Sequence, residues 1–397
     1  MLKQESSINT NLTFKIYNSI QECSPQLKFP LPLLLQPQYL QSLQHGVIKG
    51  LQTFCALVYD NAHAIGLVYF QAINLAAEEL GSTINLEPYG KFLNLVSDKL
   101  NRLLFCNAPG KANWLLVCGN MNVSGETAFA VLPNYKTQLV NLLPAIITAV
   151  TNQLKKSGKL SAVIVKDFSF DNDHPIKPTL EKEKFIRFVM DPIMIMDSMT
   201  SFTSFDTYLQ AMSSKYRLRT NNAIKKIASL TQKNFNVDDI INHSLIINQL
   251  YFAVQHRSPV RVLKPDVNSF IELKKNMGNQ FIFKVFYLND KIIAFMTGFY
   301  NTTHFEAHHI GMDYHYNKEY SLYQNLLYSF IREAINNRVQ TLSFGRTALE
   351  IKSTVGAHPV EHAAYLRLNN SLLNKLIKPF MPTTSPDKYI LRDPFKS

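Results

Sequence analysis

Two stretches of the chain share one hydrophobic pattern. From Ala56 to Ile73, two apolar blocks flank the polar pair Asp60-Asn61, and from Phe281 to Tyr300 two more flank Asn289-Asp290. Apolar runs on either side of an Asn/Asp turn predict a β-hairpin. The segments behind the two hairpins also match. Behind the first come a strand over Asn113–Gly119, a loop, a helical stretch from about Lys136 to Lys156 and a closing strand over Ser161–Phe168. Behind the second come a strand over His304–Met312, a loop, a helix from about Ser321 to Asn337 and a closing strand over Val339–Phe344. In that last helix Leu322, Tyr323, Leu326, Leu327, Phe330, Ile331 and Ala334 recur at the spacing of an apolar helix face. The layout therefore occurs twice, with little residue identity between the copies. It predicts an α/β (α+β) fold of two tandem units, each a mixed central sheet flanked by helices.

An extended apolar run ends near Asp197, and a Ser/Thr-rich patch comes next, with Thr203 or Ser204 placed to cap a helix. A second helix carries Lys215, Arg217, Arg219, Lys225 and Lys226. The boundary falls near Thr200, giving units 1–199 and 200–397, and a length of 397 residues suits two domains.

Composition narrows the class. With 46% apolar and 18% charged residues the chain reads as globular. The best candidate for a membrane span, Leu139 to Val150, is short and broken by Pro144, so none is expected. The first residues are polar and lack an apolar secretory core. Cys23, Cys55, Cys106 and Cys118 are widely spaced, which predicts buried thiols and a reducing, cytoplasmic setting. Residues 1–198 hold 17 Lys/Arg against 15 Asp/Glu, and residues 199–397 hold 24 against 14, so nearly all of the net +12 lies in the second half. That charge suits phosphates, nucleic acid or an anionic surface without choosing among them.

Two places gather chemistry. On the strand His304–Met312, strict alternation puts His304, Glu306 and His308 on one face and Phe305, Ala307 and His309 on the other. Steps of about 6–7 Å between alternate residues fit a metal only loosely, and no metal is expected. Just past the last strand, Gly345 lets the chain turn, and Arg346, Glu350 and Lys352 crowd at the strand's C-terminal edge, where α/β proteins bind ligands. These charges are expected to face one cleft and recognise substrate. Lys215, Tyr216 and Arg217 form the densest basic cluster, suited to a phosphate or carboxylate. No zinc-finger, helix-turn-helix or nucleophile-elbow signature is present.

The repeated unit resembles the GNAT superfamily of N-acyltransferases in tandem form, the layout also of the Fem family of peptidoglycan aminoacyltransferases. The segments "SFDTYLQAMSSKYRLRTNNAIKK", "FEAHHIGMDYHYNKEYSLYQNLLYSFIREAI" and "FGRTALEIKSTVGA" agree with its Fem-like and BioF2-like, peptidoglycan-biosynthesis-related branch. The resemblance implies acyl transfer to an amine of a small molecule or cell-envelope precursor. It implies a site in the second unit, with Glu306 or His308 as base and Tyr323 as proton donor to the leaving group. One feature departs from the pattern. The loop Asp313–Leu327, where such domains carry a glycine-rich run for the pyrophosphate of coenzyme A, has no glycine. The donor thus stays open between acyl-CoA and aminoacyl-tRNA, with transient tRNA contact. A non-catalytic binding module stands as the third reading.

Overall fold

The computed structural model describes residues 12–45, 50–75, 112–257, 266–381 and 390–396. Both hairpins are present. Strand β1 (Thr13–Tyr17) pairs with β2 (Leu51–Asp60), which turns at Asn61 into β3 (His63–Asn74). Asn61, at a φ of 54°, takes the left-handed conformation that asparagine tolerates. Next among the described residues are β4 (Ala112–Cys118), the short β5 (Phe129–Val131) and the helix Lys136–Lys155. Leu139, Leu143, Ile146, Ile147, Val150 and Leu154 of that helix are buried on the sheet. β6 (Gly158–Ser169) closes the unit parallel to β4, and β7 (Ile186–Met196) ends before the second unit begins.

The second half repeats the plan. Ser204 caps the helix Phe205–Ala211, and after it come the basic helix Ser214–Lys226, β8 (Thr231–Asn234) and the helices Ser244–Gln255 and Val267–Met277. The hairpin β9 (Phe281–Leu288)/β10 (Lys291–Tyr300) turns at Asn289, and β11 (His304–Met312) pairs antiparallel with β10. The helix Leu322–Asn336 then crosses to β12 (Thr341–Ser343), shorter than the expected Val339–Phe344. A short helix, Leu349–Ser353, and β13 (His358–Leu368) complete the sheet.

The two halves share one sheet in the order β1-β2-β3-β4-β6-β13-β7-β12-β11-β10-β9-β8, with β5 on β3. Its centre is an exchange of strands. β13, from the end of the chain, lies between β6 and β7, while β7, from before Thr200, pairs with β12. The second half's core lies on both faces of this sheet. One side packs Phe270, Phe281, Phe283, Phe295 and Phe299 beneath the helices 244–255 and 267–277. The other packs Met296, Phe305, Leu326, Phe330 and Ile331 beneath the helix 322–336.

The alternation expected along β11 fails at one point. Met296 pairs with Ile310 and Gly298 with Ala307, so His308 and His309 together stand opposite the single Thr297. This β-bulge inserts one extra residue and resets the alternation. Both imidazoles consequently turn to the same face, 3.8 Å apart at their centroids, His308 against Phe299 and His309 against Tyr251. The Thr297 hydroxyl fills the bulge: it accepts from the His309 N–H at 3.0 Å and lies 3.1 Å from the His309 carbonyl.

Cys23, Cys55 and Cys118 are buried free thiols, while Cys106 and the first eleven residues lie outside the described residues. Among the described residues no helix is long and apolar enough to cross a membrane.

Candidate active site

β11 and β12 run together for three residue pairs, ending at Glu306–Ser343, and then part. β12 stops there while β11 continues to Met312. In the first half β4 and β6 stay paired from Ala112–Gly158 to Cys118–Val165. The second half therefore opens a wedge between its parallel strands, whereas those of the first stay paired along the whole of β4. A cavity of about 490 Å³ fills it, floored by Glu306 to Ile310 and walled by Tyr251 and Gln255, by Tyr323 and Leu327, and by Phe344 to Thr347. The first half supplies the remaining side, through Met121 to Ser124, Lys166, Phe188 and Met190.

Glu306 is 4% exposed. Its Oε2 lies 3.2 Å from His304 Nε2, and His304 Nδ1 lies 2.8 Å from the Thr341 hydroxyl. Oε1 accepts no hydrogen bond among the described residues. His308 and His309 stand half-buried beside it. Burial, with the neighbouring His309, pushes His308 well below its ordinary pKa, and burial alone takes His309 to about 4, so both rings are neutral at physiological pH. Burial raises the Tyr323 phenol to about 12, which keeps its proton in place.

Lysines brace the cavity from both halves. Lys352 is buried, and its ammonium donates to the carbonyls of Phe344 (2.7 Å), Gly345 (3.3 Å) and Arg346 (2.7 Å). Burial lowers it to about 7, with the Glu306 carboxylate pulling the other way. Lys166 donates to the Asn120 and Val123 carbonyls and pairs with Asp167 at 2.7 Å, and burial lowers it too. Arg346 grips Asp167 with both terminal nitrogens, at 2.8 and 3.2 Å, and donates from Nε to the Asp191 carbonyl. Burial pushes the Asp167 carboxyl up, but Arg346 and Lys166 outweigh it and hold it at about 2. This trio, with Lys166 and Asp167 buried and Arg346 largely so, ties β6 of the first half to the loop after β12 of the second.

Glu306, His308, Tyr323, Gly345, Arg346 and Lys352 thus meet around one cavity. Glu350 does not join them. Glu350 and Lys352 are two residues apart on a helix, about 200° around its axis, so they point to different sides. The single cleft expected for Arg346, Glu350 and Lys352 is corrected accordingly. Glu350 faces a second, more polar depression of about 650 Å³ with Lys215, Tyr216, Arg219, Gln324 and Arg392, and bonds Arg392 at 2.8 Å. Arg217 lines neither space: two positions from Lys215 on the same helix, it turns away for the same reason. The Arg346 guanidinium is spent on Asp167 and Asp191, not left open to a ligand. Sequence reading missed Lys166, Asp167, Asn122, Tyr251 and His309. The charged end of the strand Ser161–Phe168 was a usable signal for the first two, whereas the bulge hid His309.

Comparison with known proteins adds the family. Residues 214–353 match the acetyltransferase (GNAT) domain. That stretch is similar to a GNAT domain. All ten residues singled out by sequence, from Lys215 to Lys352, lie inside it. A crystal structure of FemX superposes with a TM-score of 0.55 at 10% identity, covering 92% of this chain and 100% of that one. A tandem GNAT protein from the clavulanic acid biosynthesis pathway gives 0.52 at 8%, covering 90% and 98%. A conserved protein of unknown function from Bacteroides thetaiotaomicron VPI-5482 gives 0.51 at 11%, covering 90% and 99%. At these identities the likeness is one of fold, shared with the FemX and tandem GNAT structures over nearly the whole chain. No curated protein matches the sequence.

Proposed function

We propose that the protein is an N-acyltransferase of two GNAT-like halves dividing near Thr200, the second carrying the transfer site. The acceptor is an amine of a small molecule or cell-envelope precursor. One observation carries this reading: where β11 and β12 part, a buried carboxylate with an unoccupied oxygen faces a cavity inside the GNAT domain. Glu306 takes the proton of the attacking amine, directly or through a water, with neutral His308 beside it as the second acceptor. The new C–N bond forms as the bond from the acyl carbon to sulfur, or to oxygen for an ester donor, breaks. Tyr323, its proton retained by burial, protonates the leaving group. Gly345, at a φ of 64°, turns the chain so that Lys352 can hold the Phe344–Arg346 carbonyls and fix the cavity wall.

The second depression holds the anionic part of the donor. Among the described residues Lys215 and Arg219 have no carboxylate partner, and with Tyr216 and the Glu350–Arg392 pair they offer side-chain cations where the glycine-free loop offers no backbone cradle. Acyl-CoA is the donor on this reading, acting in the cytoplasm and with no metal. The absent glycine loop and the second half's charge favour aminoacyl-tRNA as the alternative.

Calorimetry and thermal shift with acetyl-CoA, a longer acyl-CoA and free CoA, and then transfer assays with an amine panel, decide among these. A ligand that binds the native state raises the melting temperature. Silence toward every CoA species sinks the CoA donor, turnover with charged tRNA alone selects the alternative, and binding without turnover leaves a non-catalytic module.

A further inference from the structure

The polar atoms left over in the first cavity define what enters it. The cavity's cations are already engaged: Lys352 on three carbonyls, Lys166 on two carbonyls and Asp167, Arg346 on Asp167 and Asp191. An anion would find no uncommitted charge there. Among the described residues, two buried side-chain atoms on its lining have no hydrogen-bond partner, Asn122 Oδ1 and His309 Nε2. Asn122 Nδ2 donates to Asn120 Oδ1 at 3.2 Å, which fixes the amide so that its oxygen is the free end. The neutral His309 ring accepts at Nε2 when Nδ1 carries the proton. In that tautomer His309 Nε2 joins Asn122 Oδ1 as an acceptor awaiting a donor, with the Glu306 carboxylate on the same lining. A buried acceptor without a donor costs about 1–3 kcal/mol, a penalty that a ligand's N–H groups remove. The rest of the lining is largely apolar, including Met121, Val123, Phe188, Met190, Leu327 and Phe330.

We infer that the acceptor site is selective for a primary amine carried on an apolar chain, with Asn122 of the first half and His309 of the bulge, beside Glu306, as its recognition groups. An ammonium brings only donors to a lining whose unpaired atoms accept, and its hydrocarbon chain matches the remaining wall. The proposal rests on the acyl-transfer reading for its purpose, not for its chemistry, because amine binding needs no donor substrate. It gives the first half a direct part in specificity: the loop Met121–Ser124, held by Lys166 through the Val123 carbonyl, closes the site built on the second half.

The test is calorimetry of the full chain, without any acyl donor, against octylamine, octanol and octanoate. Octylamine should bind at least tenfold more tightly than either of the others. Asn122→Leu and His309→Phe should each weaken octylamine about tenfold while leaving the melting temperature of the free protein within a few degrees. Asn122→Asp, which keeps the shape and adds charge, should tighten it. Octanoate or octanol binding as well as octylamine, no octylamine binding, or unchanged affinity in folded Asn122→Leu and His309→Phe overturns the inference. Selective amine binding without transfer to any donor leaves the inference standing and removes the acyltransferase reading instead.

Discussion

Glu306 and Lys352 face the same cavity, and each makes a measurable difference. Glu306→Gln keeps the volume and a partner for His304 while removing the base. Transfer should fall by about 10²–10⁴ in kcat, the usual worth of a positioned base, with the melting temperature nearly unchanged. A labelled-acyl transfer assay beside a melting curve checks both halves of that statement. Lys352 acts on stability. Its ammonium titrates near 7 when folded against 10.5 unperturbed. Between those values the unfolded chain binds more protons than the folded one, so stability rises with pH from about 7 toward 10. Below 7 both states are charged and the slope vanishes. Lys352→Met should abolish the rise, seen in urea midpoints taken from pH 6 to pH 9, and should lower the midpoint by stranding the carbonyls of Phe344 and Arg346.

At the scale of elements, the bulge in β11 decides which side chains reach the site. Thr297 is fully buried and is the single residue opposite His308 and His309, with its hydroxyl serving both edges of the bulge. Thr297→Val keeps the shape and leaves the His309 N–H without its partner, a loss of about 1–3 kcal/mol. The melting temperature should drop by several degrees, and octylamine affinity should fall with it as His309 loses its orientation. A variant that melts like the parent would show that β10 and β11 hold the bulge without this hydroxyl. The parting of β11 from β12 is the second decision made at this scale, since a β12 ending at Ser343 leaves Ala307 to Ile310 facing the cavity.

Over the whole molecule, the exchanged strands make the two halves depend on each other. Separate expression of residues 1–199 and 200–397 should yield no stable folded unit, because the first fragment lacks β13 beside β6 and the second lacks β7 beside β12. The intact chain should melt in a single calorimetric transition. The Asp167 carboxylate is the buried joint between the halves, and Asp167→Asn leaves Lys166 and Arg346 facing each other uncompensated. Breaking such a buried pair costs about 3–5 kcal/mol. The same joint loosens in acid. Asp167 is held at about 2 against 3.8 unperturbed, so its stabilisation is complete above about 4 and is lost as pH falls toward 2. Acid unfolding midpoints of the parent and Asp167→Asn should converge there.

Hydrophobic periodicity was enough to find both hairpins, the two crossover helices and the strand bearing Glu306. A two-residue or a three-and-four repeat is a local property that burial on one face imposes on each segment. The Ser204 cap was legible for the same reason. The wedge was not, because it depends on where β12 stops relative to β11, and neither strand's pattern encodes the other's end. The bulge was hidden as well: His308 and His309 obey the alternation in sequence, and only pairing with β10 forces both to one face. Likewise the short helix Leu349–Ser353 split Glu350 from Lys352, and long-range pairing of β6, β13 and β7 brought Asn122 and Lys166 to a site that sequence spacing assigned to the second half alone. The chain by itself determined which segments form and which residues carry chemistry. Tertiary structure decided which of them meet, because a strand's partners and a cavity's walls are set by packing between segments distant in sequence.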